Sequence, residues 1–109
     1  MTKRTALARA RRGAKFLDKK LPGWRKQIRV TRLDLSKGLY DPARRGSCGC
    51  ILAQIDATRT HTGNYTGGAK KIGIEPWGDD AVRLGFRDGD DYATLTEAWR
   101  EILREESAA

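Results

Sequence analysis

The chain has 109 residues with 22 Lys+Arg against 14 Asp+Glu, a single His and a formal net charge of +8. That length fits one domain, no stretch comes near the roughly 20 consecutive apolar residues of a membrane helix, and two cysteines one residue apart are not a disulfide framework. Residues 1–50 hold 15 Lys/Arg against three acids, whereas residues 51–109 hold 7 against 11, so the positive charge is concentrated in the first half.

Residues 4–20 read as an amphipathic helix. Leu7, Ala10, Ala14, Leu17 and Leu21 recur at 3/4 spacing within roughly an 80° arc. Arg4, Arg11, Arg12, Lys15 and Lys19 fall on an adjacent arc of about 100°. Gly13 interrupts this helix at a cost of about 1 kcal/mol relative to Ala, and Phe16 points to the basic side. Pro22-Gly23 stops the helix, and Trp24 to Ile28 form a short helical turn. Residues 28–35 read as extended, and Lys37 to Gly46 as a polar loop. Ser47 is placed to cap a helix over residues 48–57 with Cys48, Ile51, Leu52 and Ile55 on its apolar side. Residues 58–64 read as a loop, and Tyr65, Ala69 and Ile72 as a short helix weakened by Gly67-Gly68. Asp79 or Asp80 starts a further short helix that Gly85 closes, with Phe86 packing back. The last helix, residues 91–106, has an apolar face of Tyr92, Leu95, Trp99, Ile102 and Leu103, and expected pairs Glu97–Arg100 and Glu101–Arg104. The expected fold is mainly α: a compact single domain over 1–109 of several short helices, with a basic N-terminal helix, an amphipathic C-terminal helix and a small extended segment. Residues 1–12 are a candidate flexible basic arm.

Phe16-Leu17-Asp18, Pro22-Gly23-Trp24, Ile28, Leu33-Asp34-Leu35 and Cys50-Ile51-Leu52-Ala53-Gln54 occur in that order, followed by Tyr65, Ile72-Gly73, Leu84-Gly85-Phe86, Tyr92, Leu95-Thr96 and Trp99. This order resembles a group of small proteins of unassigned function from actinobacteria and their tailed phages, over roughly residues 13–103. Relatives often carry Gly where Ala53 stands here and a shorter stretch in place of Lys37–Gly46, and the very basic first 15 residues are particular to this chain. The resemblance implies a bacterial or phage-infected cytoplasm and an accessory gene product rather than a metabolic enzyme. It carries no activity over.

Catalytic motifs are not assembled. Cys48-Gly49-Cys50 has a one-residue spacer where paired zinc cysteines usually have two or more, and only His61 is at hand to complete a ligand set. On a helix Cys48 is core and Cys50 faces elsewhere, both as inert thiols. His61 lies in a Thr-rich loop with no nucleophile or orienting acid specified near it and reads as a surface histidine. Gly67-Gly68-Ala69-Lys70-Lys71 lacks the phosphate-loop arrangement and reads as a connector. Asp79-Asp80 and Asp88-Asp90-Asp91 lack the calcium-loop pattern and read as helix starts and turns. The expectation is no metal, no cofactor and no enzymatic activity.

The basic first half carries the functional case. Arg4, Arg9, Arg11, Arg12, Lys15, Lys19 and Lys20 are candidates to contact phosphates, with Arg44 and Arg45 as a second clamp; the alternative is a solvated face that confers solubility. No zinc finger, RNP signature or helix-turn-helix is present, so the expected partner is nucleic acid held by its backbone. Trp77, after Pro76, is the aromatic expected to meet a partner. A protein-binding modulator of a host enzyme or complex, or a virion-associated structural protein, is the alternative. The N-terminus lacks the apolar stretch of a signal peptide, so a cytoplasmic location in the bacterial host is expected, with no membrane partner.

Overall fold

The side-chain volume that organises the chain is aromatic, and the helices are arranged to enclose it. The computed structural model describes residues 1–44 and 47–108. The first helix, α1 (Lys3–Lys20), is opened by Thr2, whose hydroxyl accepts from the Thr5 N–H at 3.1 Å. It buries Ala6, Ala10, Gly13, Ala14 and Leu17, so its packed face is built from small residues and one Leu. Of the candidate arm 1–12, residues 3–12 are the first turns of this helix, and Ala6 and Ala10 within them are fully buried. The last helix, α5 (Tyr92–Ala108), packs along α1 and buries Leu95, Ala98, Trp99, Ile102 and Leu103. Asp91 precedes it and accepts from the Thr94 N–H at 3.1 Å and its hydroxyl at 2.7 Å, so this acid serves a helix start.

Gly13 is not a defect in α1. A Cβ there would lie 2.1 Å from the Leu84 carbonyl oxygen and 2.8 Å from the Trp99 ring, so the glycine lets the helix touch both. Around it Trp24 meets Trp99 edge-on, with centroids 6.1 Å apart, and Phe86 stacks on the other side at 5.8 Å. The Trp99 N–H donates to the Gly85 carbonyl at 2.6 Å, which satisfies the buried indole. Phe86 reaches this stack because α4 (Asp79–Arg83) closes at Gly85, with the Phe86 N–H returning to Ala81 O at 2.9 Å.

The other half is built on α2 (Ile51–Asp56) and α3 (Tyr65–Lys71), which pack together. Gly68 allows this close approach, since a Cβ there would lie 2.1 Å from the Leu52 carbonyl oxygen. The Gly67-Gly68 pair therefore serves packing rather than weakening α3. A two-stranded antiparallel ladder joins β1 (Leu39–Tyr40) to β2 (Gly63–Asn64), so the expected loops at 37–46 and 58–64 each contribute a strand. The expected helical turn after α1 is a 3₁₀ turn over Trp24–Gln27, whereas the expected extended segment 28–35 contains a second 3₁₀ turn, Val30–Arg32, followed by a parallel bridge of Leu33 to Gly49.

The cysteines sit opposite to the expectation. Helix α2 starts at Ile51, not at residue 48, and its N-cap is Cys50, whose Sγ accepts from the Ala53 N–H at 3.3 Å. Cys50 is buried and Cys48 exposed. The reason is that residues 48–50 are held as extended chain: the Gly49 N–H donates to Arg32 O and the Cys50 N–H to Lys37 O. Ser47 is consequently not a helix cap and donates instead to Asp41 O at 2.7 Å.

Replacing Gly13 by Ala is expected to lower stability by roughly 1–3 kcal/mol through overpacking, although Ala favours a helix by about 1 kcal/mol. Gly89→Ala, with nothing within 4 Å of the new methyl, is the control. Urea melts check this, and equal midpoints for the two variants would refute the packing role.

Candidate nucleic-acid interface

The apolar stripe of α1 turns to α5 and α4. At about 100° per residue, Arg4, Arg11, Arg12, Lys15 and Lys19 occupy the arc beside that stripe, and all five are exposed. Arg9 and Lys20 lie on the flanks. Arg9 is half-buried, and the Lys20 ammonium lies 5.7 Å from the Phe16 ring centroid. Two of the helix's cations are answered by α5: Lys3 pairs with Glu101 at 3.3 Å and Arg11 with Glu105 at 3.4 Å. Glu101 is thereby drawn to α1 rather than to Arg104, its expected partner. Glu97 does pair with Arg100, at 2.7 Å. Arg4, Arg12, Lys15 and Lys19 have no ion-pair partner among the described residues.

Asp18 is the acid of α1, yet it does not neutralise this face. Its carboxylate accepts from the Trp24 indole N–H at 2.9 Å and is paired with Arg25, whose guanidinium also lies 4.8 Å from the Trp24 ring. Burial pushes the Asp18 carboxyl up, but the hydrogen bonds from Arg25 and Trp24 and the charge of Arg25 outweigh it and leave it below the ordinary carboxylate range. The acid that could cancel Lys15 or Lys19 is spent on the turn that follows the helix.

The second clamp is not gathered with α1. Arg44 follows β1, pairs with Asp41 at 3.4 Å, and lines an open cleft of about 650 Å³ with Lys37, Leu39, Cys48 and Thr62. Arg45 lies outside the described residues. Trp77 is 62% exposed, as expected of a partner-facing aromatic. It is nonetheless held in place. Its ring lies 5.2 Å from that of Tyr65, the Arg87 guanidinium is 5.3 Å away, and the Tyr65 hydroxyl donates to Pro76 O. A shallow cavity of about 200 Å³ opens beside it, lined also by Phe86 and Tyr92.

A further set of cations escapes a reading along the chain. Lys26 and Arg29 from the 3₁₀ turns, Arg59 and Lys71 come from three separate segments and line one cleft of about 490 Å³. The basic stretch Arg25 to Arg32 holds two of them, but nothing in the sequence joins it to Arg59 or Lys71. The signal that brings them together is Gln54, a buried polar residue in an otherwise apolar helix. Its Oε1 accepts from the Arg29 N–H at 2.5 Å, and its Nε2 donates to Arg29 O at 3.3 Å and Gly49 O at 3.1 Å.

Of the two thiols, Cys50 is buried and Cys48 exposed. Burial pushes the Cys50 thiol up to about 11, so it stays protonated at neutral pH. His61 is exposed, its backbone tied to Thr58. Among the described residues no three His, Cys, Asp or Glu side chains converge to hold a metal ion. No helix among them is long and apolar enough to cross a membrane. No family model, curated protein or solved structure matches this chain.

Because Asp18 is held below its ordinary range, its stabilising contribution is complete above that range and is lost as pH falls through the folded-state value. Asp18→Ala is expected to lower stability by about 1 kcal/mol at pH 7, a figure kept small by the solvent exposure of the pair. The difference from wild type should shrink at pH 3. Denaturant melts at the two pH values check this, and a pH-independent difference would contradict it.

Proposed function

We propose that this protein binds nucleic acid through phosphate contacts made by the outer face of α1. The observation that carries this reading is the set Arg4, Arg12, Lys15 and Lys19: exposed, on one side of a rigid helix, and without ion-pair partners among the described residues. From Arg4 to Lys19 the helix runs about 22 Å at 1.5 Å per residue, a length that matches roughly six phosphates along one strand of a duplex. A folded helix presents these charges without an ordering cost on binding, unlike a flexible tail. Contacts of this kind position a protein on the backbone and carry no base information, so binding depends weakly on sequence.

The wider setting belongs to the same proposal. The order of motifs from Phe16 to Trp99 resembles small actinobacterial and phage proteins, which favours an accessory product acting by binding in a bacterial cytoplasm, not by catalysis. A second reading has one observation of its own: Trp77 is large, exposed and held rigid by Tyr65 and Arg87, the properties of an interface anchor on a host protein.

The test is fluorescence anisotropy with a labelled duplex at rising salt, on wild type, the triple variant Arg12→Gln/Lys15→Gln/Lys19→Gln, and Trp77→Ala. Wild type is expected to bind with a log-linear loss of affinity in salt. The triple variant should lose about 0.9 of slope for each phosphate contact removed, roughly 2–3 in all, and Trp77→Ala should bind as wild type. An unchanged salt slope in the triple variant would sink the reading. Loss of binding confined to Trp77→Ala would transfer function to the Trp77 surface.

A further inference from the structure

The cleft between the 3₁₀ turns and α2–α3 gathers Lys26, Arg29, Arg59 and Lys71 around walls formed by Tyr40, Pro42 and Ile55. No carboxylate lines it among the described residues. Two acids are chain neighbours of its lining, since Asp41 stands between Tyr40 and Pro42 and Asp56 between Ile55 and Ala57. Both are turned elsewhere. Asp41 accepts from the Ala43 N–H at 3.0 Å and pairs with Arg44. Asp56 accepts from the Asn64 N–H at 3.0 Å and lies against Gly67. The cleft is thus left with four like charges facing shared solvent, a field that attracts anions.

Its frame is rigid where it matters. Gln54 lies in the floor, fully buried, and holds the Arg29 backbone by both its N–H and its carbonyl. The Lys71 ammonium reaches Ile55 O at 3.4 Å, near the end of α2, which brings it to the cleft wall. Two guanidinium forks and two ammonium groups suit an anion with several oxygens spread over adjacent centres better than a single carboxylate.

We infer that this cleft is an anion site for adjacent phosphate groups, the polyphosphate of a nucleotide or consecutive phosphates of a strand. It is separate from the α1 face and does not depend on it. In the chemistry proposed, Arg29 and Arg59 hold phosphate oxygens by paired N–H donors, while Lys26 and Lys71 supply point charges. Gln54 is a positioning residue that acts through Arg29.

The test is isothermal titration of the full chain with inorganic tripolyphosphate, with ATP, and with a short single-stranded oligonucleotide. Wild type is expected to bind tripolyphosphate, and Arg59→Gln/Lys71→Gln to bind it at least tenfold more weakly. These side chains are exposed, and an unchanged melting temperature without ligand confirms that the variant is folded. Lys26→Gln/Arg29→Gln is the second variant and should show the same loss. The α1 triple variant Arg12→Gln/Lys15→Gln/Lys19→Gln should keep tripolyphosphate binding, even if it loses the duplex. ATP binding tighter than tripolyphosphate supports a nucleotide source, and displacement of tripolyphosphate by the oligonucleotide supports a strand. Absence of binding to all three probes, undiminished binding in both cleft variants, or loss of tripolyphosphate binding in the α1 variant overturns the inference.

Discussion

The indole of Trp99 joins parts of the chain that are otherwise remote. Its plane stacks on Phe86, its edge meets Trp24, its N–H is taken by Gly85 O, and α1 comes against it through Gly13. Each contact is a condition on a different segment. The turn after α1 must deliver Trp24, α4 must close at Gly85 so that Phe86 turns inward, and α1 must carry no side chain at position 13. A chain with only 39% hydrophobic residues has little apolar area to spread among separate clusters. Concentrating it in three large rings gives a dense centre. The same constraint explains why the packed face of α1 is mostly alanine, since small residues let the helix approach the rings closely.

Away from the rings the chain is irregular, and buried or half-buried polar side chains take over the work that longer helices and sheets do elsewhere. Gln54 satisfies the Arg29 backbone on both sides and adds Gly49 O. The Thr96 hydroxyl accepts from the Leu35 N–H at 3.1 Å, and Arg100 donates to Leu33 O at 2.6 Å, which ties the 28–35 segment to α5. Backbone groups near the core that lack a regular ladder partner need such donors and acceptors. No buried side-chain nitrogen or oxygen among the described residues is left without a hydrogen-bond partner. The cost of short, broken secondary structure is met by a few well-placed polar residues.

This division also governs what the amino-acid order made legible. Helices α1 and α5 are long enough for periodicity to reveal them, and the rings Trp24, Phe86 and Trp99 are buried and Trp77 exposed, as residue type and neighbours imply. Gly85 closes α4 and the acids at 79–80 and 91 stand at helix starts, because capping chemistry is local. Around Cys48 and Cys50 the local pattern misleads. An apolar 3/4 spacing from Cys48 suggests a helix, whereas backbone pairing with Arg32 and Lys37, distant in sequence, keeps residues 48–50 extended. Gly13 and Gly68 likewise look like helix breakers, and their purpose depends on Trp99 and Leu52 lying against them. The α1 face was visible as a charge run. The cleft of Lys26, Arg29, Arg59 and Lys71 was not, since it exists only once three segments converge.

The charge imbalance of the sequence takes a definite form in space. Among the described residues, acids of the second half reach the basic first half where Glu101 and Glu105 of α5 meet Lys3 and Arg11 and where Asp91 meets the Met1 ammonium. The other carboxylates are largely committed to local structure: Asp18 to Trp24 and Arg25, Asp34 to Ser36, Asp41 to Ala43 and Arg44, Asp56 to Asn64, Asp80 to Arg83, and Asp91 to Thr94. Each such bond stabilises a turn or helix end and removes an acid from the reach of a distant cation. Part of the surplus charge is left on the outer face of α1 and in the cleft beneath Tyr40, and part on exposed cations elsewhere such as Arg32, Lys37 and Lys70. Like charges held together in this way oppose compaction modestly and draw anions strongly at low salt. The same local bonds that build the turns thus decide where positive charge is left standing on the surface.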